Sequence, residues 1–299
     1  MDKLINDNLR ISITDACNLD CIYCSNEGQP HSIRNNARFL SLDFVRALCA
    51  RIKNDQLFVQ RVNITGGEPM LHPQLNDIVQ EFAKITKNVA LNSNGILLTE
   101  KNIQNLIGNG VNTFKIGLDN IVGDETKPCF TKRKGLVEKV KNNILLCKEK
   151  LNDTSVDVVL SNANISSIDK MVEFIIKNKL TNSIFIELLP YDFWGNGEIP
   201  LNGISFGKLY SILQEKSKTI NHDYSTKRGL HKLVVNGDIN LAYAEDFCKK
   251  KLCKNLCTRI DAGGNFLPCV KKNKLIPIDL SKALRPQLVN YQGELCHQN

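Results

Sequence analysis

Three cysteines stand close together in the stretch ITDACNLDCIYCSN, residues 13–26: Cys17, Cys21 and Cys24, spaced C-x3-C-x2-C. Cysteine thiolates ligate zinc or iron–sulfur clusters, and close spacing on one loop lets several of them face one centre. A structural zinc site takes a fourth protein ligand, for which His31 is the nearest candidate beyond Cys24. Three-cysteine ligation of a [4Fe–4S] cluster instead leaves one iron open, and an open iron can bind and polarise a further group. A second set of cysteines lies near the other end of the chain: Cys248, Cys253, Cys257 and Cys269, spaced C-x4-C-x3-C-x11-C. Clustered cysteines of this kind again point to iron or zinc.

The rest of the composition agrees with a metal-handling enzyme. Eleven cysteines in 299 residues are read against the compartment. No apolar run long enough to cross a bilayer occurs, and MDKLINDNLR has no apolar stretch behind its charges. The expectation is a cytoplasmic protein without a membrane partner, where thiols stay reduced and clustered cysteines hold metal. The formal charge is +8, and residues 226–299 carry 13 Lys and Arg against 6 Asp and Glu. That bias fits a solvated lysine-rich face or a site for an anionic small molecule. Aromatic residues are 6% of the chain, with no interleaving of basic and aromatic residues, which disfavours nucleic acid as a partner.

The elements that must position these cysteines alternate. Short β-rich runs at 9–14, 60–65, 88–93, 113–119, 155–161 and 183–189 are each followed by a segment of helical period, at 41–53, 74–85, 100–110, 133–150, 167–179 and 205–218. Six β-then-α units predict an α/β fold with a parallel sheet, a partial (β/α)6 TIM-type barrel over residues 1–225. Residues 226–299 read as a small cysteine-rich C-terminal region that is loop-rich and needs a staple. In barrels of this kind the active site lies at the carboxyl ends of the strands. The words TDACN, TGGEP, NSNG, LDN, SNAN and LLPYDFWGNG fall there, one after each strand.

The cysteine spacing after the first strand, with TGGEP after the second, resembles the radical S-adenosylmethionine (SAM) superfamily. The resemblance implies that Cys17, Cys21 and Cys24 hold a [4Fe–4S] cluster whose open iron is chelated by SAM. It places Tyr23 against the adenine, and Gly66, Gly67, Glu68 and Pro69 around the amino group of SAM. Glycines permit close backbone approach, and a carboxylate suits an ammonium. Segment by segment, LRISITDACNLDCIYC, VNITGGEPMLHPQL, LNSNGILL, FKIGLDN, VDVVLSNANISSIDKMVEFI and FIELLPYDFWGNG resemble the GTP cyclase family of molybdenum-cofactor biosynthesis and its auxiliary-cluster paralogues. That implies Asn92 or Ser93, Gly117 and Leu189 near SAM or substrate, with a glycine at 117 in place of the usual serine. It also implies a second [4Fe–4S] cluster on Cys253, Cys257 and Cys269, with Cys248 as a fourth ligand and Cys296 as a reserve, and an electron donor such as flavodoxin or ferredoxin.

Arg10, Arg61 and Arg259 match or stand in for basic residues that hold the nucleotide in that family. Asn63, His72, Ser155 and Ile184 stand where other cations are expected, and the sequence ends ELCHQN where the family has a glycine pair. Hydrogen bonds to charged groups are worth roughly 1.5–3 kcal/mol each, so the expectation is a small anionic or nucleotide-like substrate other than GTP. Modification of a peptide and GTP cyclisation are the alternatives. Glu187 and Asp119 are strand-end candidates for SAM ribose or substrate, and Tyr191, Asp192 and Trp194 for substrate. Cys49 and Cys147 sit within helical periods as small buried residues, Cys129 lies in a loop, and His222, His231 and His297 have no partner pattern.

Overall fold

In the computed structural model of the chain, residues 8–19, 21, 23–24, 37–121, 135–188, 202–226, 229–245, 258–267 and 275–289 are described. Strands β1 (Asn8–Ser12), β2 (Arg61–Thr65), β3 (Val89–Ser93), β4 (Val111–Gly117), β5 (Thr154–Leu160) and β6 (Ser183–Glu187) lie side by side in sequence order, each pair parallel. Between them run α1 (Leu42–Asn54), α2 (Leu75–Ala83), α3 (Glu100–Asn109), α4 (Leu136–Lys150) and α5 (Ile168–Lys177), with α6 (Phe206–Lys216) after β6. The helices start and stop where their sequences dictate. Ser41 caps α1 through the Phe44 N–H, Thr99 caps α3 through the Asn102 N–H, and α3 ends on Gly110 at φ 118°, a backbone shape that suits glycine.

Each helix turns an apolar stripe to the sheet. On α1 the stripe is Leu42, Val45, Leu48, Cys49 and Ile52, and it joins Leu9, Ile11, Val62 and Ile64 in the core. Cys49 and Cys147 are buried members of that core, and burial pushes both thiols up to about 12, which keeps them protonated. The alternate strand residues Arg10, Asn63, Asn92, Lys115 and Asp157 are only partly covered and point to the opposite, concave face.

The described residues beyond α6 form strands paired onto the barrel sheet, and one short helix. The strands extend that sheet at both edges, giving a twelve-stranded sheet among the described residues. At the β6 edge, β7 (Ile220–Ser225), β8 (Leu230–Val235) and β9 (Ile239–Ala244) make an antiparallel meander, with β9 parallel to β6. At the β1 edge, β10 (Thr258–Ile260) pairs parallel with β1 and continues into the short strands β11 (Asn265–Phe266) and β12 (Ile276–Pro277), followed by α7 (Leu284–Val289). The position expected as a boundary, 225, is the last residue of β7, which pairs with β8. The stretch expected to be loop-rich begins in this meander, because main-chain pairing with β6 supplies the order that weak periodicity does not announce. Cys248, Cys253, Cys257, Cys269, Cys129, Cys296, Leu189, Tyr191, Asp192, Trp194, His31 and His297 lie outside the described residues.

Candidate functional site

At the carboxyl end of β1 the chain leaves the strand but keeps its ladder. The Ile13 N–H donates to the Thr65 carbonyl at 2.9 Å, the Gly67 N–H to the Thr14 carbonyl at 2.7 Å and the Glu68 N–H to the Ala16 carbonyl at 2.7 Å. The loop carrying Cys17, Cys21 and Cys24 is thus zipped onto the TGGEP loop after β2. The glycines are required by that approach: a Cβ on Gly66 would lie 2.4 Å from the Thr14 oxygen, and one on Gly67 2.2 Å from the Ala16 oxygen. The sequence expectation assigned their freedom to a ligand, whereas the close neighbour in the structure is the cysteine loop itself.

The carboxylate of Glu68 is also turned inward. It is fully buried, and accepts from the Met70 N–H at 3.1 Å, the Ser93 hydroxyl at 2.8 Å and the Asn94 N–H at 2.7 Å. Burial pushes its pKa up to about 7 against the pull of those three donors. A carboxylate held this way braces the TGGEP loop to the NSNG loop after β3. The acid expected to receive an ammonium is thus already engaged by three protein donors. Ser93 is part of that brace, while the buried Asn92 side-chain oxygen has no protein partner.

Two more contacts hold the cysteine loop. The Asn94 side-chain amide donates to the Asn18 oxygen at 2.7 Å, and the Tyr23 hydroxyl donates to Asp119. Asp119, in the LDN word after β4, also accepts from the Val159 N–H at 2.6 Å. Burial pushes Asp119 up to about 6, and burial together with the Asp119 charge raises Tyr23 well above the usual phenol range. Leu19, Cys21, Tyr23, Asn94, Gly117 and Asp119 line one cavity of about 80 Å³. Words from β1, β3 and β4 therefore meet at one place, as barrel geometry requires.

The three loop cysteines are partly exposed, unlike Cys49 and Cys147. The Leu19 N–H donates to the Cys17 sulfur at 3.4 Å, the kind of bond that stabilises a thiolate. No three His, Cys, Asp or Glu side chains among the described residues converge closely enough to hold a single metal ion.

On the concave face Arg10, Arg259 and Asn63 are register partners on β1, β10 and β2, and Arg10 donates to the Thr65 hydroxyl at 3.3 Å. Arg61 stands apart from this set, paired with Asn8 at the start of β2, about 13 Å along the strand from Thr65. Further round, Asn92, Lys115 and Ser155 form one row and Gly117 and Asp157 the next. One Asp157 oxygen is buried without a partner, across the ladder from Gly117, where a Cβ would meet only the Ser93 oxygen at 3.9 Å. Pro69 opens a single 3-10 turn capped by Glu68.

Sequence reasoning passed over Arg38, Asp15, Asn18 and Asp261, all bound to the cysteine loop or its neighbours. For Asp15 and Asn18 the signal was position inside the word TDACN; for Arg38 and Asp261 no local spacing exists. His222 and His231 do have partners. They hydrogen-bond each other at 2.9 Å, and His231 lies 3.2 Å from Glu245. Glu187, the other strand-end candidate, lies beside the Tyr243 hydroxyl, whose proton goes to the Ile204 carbonyl.

Comparison with known proteins agrees with this geometry. Residues 11–175 match the family described as the radical SAM superfamily. A GTP 3',8-cyclase of Clostridium perfringens is 30% identical over 221 residues, covering 72% of this chain and 64% of that protein. A probable GTP 3',8-cyclase of Archaeoglobus fulgidus is 29% identical over 280 residues, covering 91% and 88%. This chain thus spans a little under two thirds of the Clostridium relative. Among solved structures, Streptococcus suis SuiB bound to S-adenosylmethionine superposes with a TM-score of 0.66 at 16% identity, over 97% of this chain and 66% of that one. Likeness at that identity is likeness of fold.

Proposed function

Because the chain belongs to the radical SAM superfamily, we propose that it uses one [4Fe–4S] cluster on Cys17, Cys21 and Cys24 to activate SAM against a small anionic substrate whose carbon skeleton it remodels. Cys17, Cys21 and Cys24 would hold the cluster, and with SAM bound it would supply the one-electron reductive cleavage of SAM that permits hydrogen abstraction from the substrate. The protein's own residues position and shield. The paired main-chain groups of 14–16 and 66–68 hold the cysteine loop, and Tyr23, Asn94, Gly117 and Asp119 wall the space beside it.

The observation that carries the anionic substrate is the Arg10–Arg259 pair in register on the concave face, with Lys115 on the same face. Arginine forks suit carboxylate and phosphate. The resemblance to the GTP cyclase family implies a second cluster on Cys253, Cys257 and Cys269, with Cys248 as a fourth ligand, and the reading is supported by β10, which begins right after Cys257 and lies against β1. A flavodoxin or ferredoxin supplies the electron.

Anaerobic reconstitution, iron counting and assay of 5′-deoxyadenosine test this reading. About eight irons and SAM cleavage under strong reduction are expected. About four irons would remove the second cluster, and no 5′-deoxyadenosine would remove the enzyme. GTP is the competing substrate because the relatives in both organisms bear the name GTP 3',8-cyclase. Turnover of GTP to a cyclised product by the reconstituted protein would favour GTP over a different small anion.

A further inference from the structure

Arg38 lies between the cysteine loop and α1, and it bonds the loop from both of its ends. Its carbonyl accepts from the Thr14 hydroxyl at 2.9 Å and the Asp15 N–H at 3.1 Å. Its guanidinium donates to the Asp15 carboxylate through Nε at 2.6 Å and Nη2 at 3.4 Å. The same Nη2 lies 3.2 Å from Oδ2 of Asp261. Both carboxylates are nearly inaccessible, at 3% and 1% side-chain exposure. One cation therefore holds two buried acids that would otherwise repel each other.

Asp261 is itself fixed. Its Oδ1 accepts from the Gly263 N–H at 3.1 Å, the Asn265 N–H at 2.7 Å and the Asn265 side-chain amide at 3.1 Å, so it shapes the turn between β10 and β11. The two glycines of that turn make room for this packing. A Cβ on Gly263 would meet Arg38 Nη1 at 2.6 Å, and one on Gly264, at φ 78°, would meet the Phe44 ring of α1 at 2.7 Å. The β10–β11 turn is the described part of the segment running from Cys257 to Cys269.

We propose that Arg38 is a positioning residue that couples the β10–β11 turn to the pose of Cys17, through Asp261 on one side and Asp15 and Thr14 on the other. A shift of the β10–β11 turn then reaches the cysteine loop through this ion-paired joint, beside the direct pairing of β10 with β1. The inference rests on the assignment of a cluster to Cys17, Cys21 and Cys24, and not on the second cluster.

The test uses the reconstituted holoprotein and the variants R38K, R38M and D261N. Its readouts are iron per chain, the electron paramagnetic resonance spectrum of the reduced protein with and without SAM, SAM affinity by equilibrium dialysis, and melting temperature. Outer groups that orient metal ligands typically matter about 10-fold or more. R38M and D261N are each expected to weaken SAM binding about tenfold and to alter the SAM-induced spectral change. R38K, which keeps the charge but loses the fork, falls between them and the wild type. Asp261 bonds its own turn and Arg38, so a D261N effect on the spectrum is one that a merely local brace would not produce. Wild-type spectra and SAM affinity in D261N and R38K overturn the proposal, whatever their melting temperatures and whether or not R38M folds. A wild type that takes up no cluster, or shows no SAM-induced change, fails the cluster assignment instead.

Discussion

The two edges of the barrel sheet are closed by the C-terminal part of the chain in different chemistry. At the β1 edge the closure is ionic and glycine-dependent: Arg38 with Asp15 and Asp261, Gly66 and Gly67 against the cysteine loop, Gly263 and Gly264 against Arg38 and Phe44. At the β6 edge it is aromatic and hydrogen-bonded. Phe206 of α6 stacks on His231 at 3.7 Å, His231 bridges His222 and Glu245, the Tyr224 hydroxyl donates to Glu245 at 2.7 Å, and the Tyr243 hydroxyl donates to the Ile204 carbonyl at 2.7 Å. The first kind of closure is directional and sets a geometry. The second buries area and tolerates small shifts. Function should therefore be sensitive at the β1 edge, and stability alone at the β6 edge.

The strongest way to break this comparison is Gly67→Ala. The new methyl group meets main chain at Ala16, not the end of a mobile side chain, so the cysteine loop must move. Overpacking typically costs about 1–3 kcal/mol, and a clash with main chain falls at the upper end of that range. We expect a lower melting temperature in the metal-free protein and no 5′-deoxyadenosine from the reconstituted one. Wild-type 5′-deoxyadenosine yield from Gly67→Ala would show that the loop pairing is dispensable.

Asp119 sharpens the comparison from the barrel top. Burial raises its folded pKa from the usual 3.8 to about 6, so the folded state binds the extra proton. Its contribution is fully present below about 4 and is lost as pH rises through about 6, a fall on the order of 3 kcal/mol. Asp119→Asn keeps an acceptor for the Val159 N–H and removes the titration. Urea denaturation of the metal-free protein between pH 4 and 7 should fall less steeply in the variant. Parallel curves would mean that Asp119 is not buried as a titrating acid.

What could be read from the sequence divides along the same line. All six barrel strands and all six following helices are visible as alternation between two periods, because each strand buries one face against helices whose stripes repeat every three or four residues. The meander was not visible: INHDYS in β7 leaves its polar residues exposed, so no alternation marks it. Strands β10 to β12 are two or three residues long, shorter than any period. The cysteine trio and TGGEP were legible as words. Their supports were not, since Arg38 reaches Asp261 only after the whole barrel has brought β10 beside β1. Glu68 was legible as a site residue but not as a brace; its burial and its three donors are tertiary facts.

The smallest expected effect is at the β6 edge, and it is the one that isolates the comparison. Phe206→Leu keeps an apolar residue at the start of α6 but removes the ring stacked on His231. Aromatic pairs contribute about 0.5–1.5 kcal/mol beyond their buried area, so the variant should lose about 1 kcal/mol in urea denaturation. The histidine pair and Glu245 remain, and Phe206 packs on the meander, at the opposite edge of the six parallel strands from the cysteine loop. 5′-Deoxyadenosine yield and SAM affinity should therefore match the wild type. A loss of SAM affinity in Phe206→Leu comparable to that of D261N would mean that both edges report to the cluster, and that the ionic joint at Arg38 is one of several routes, not the principal one.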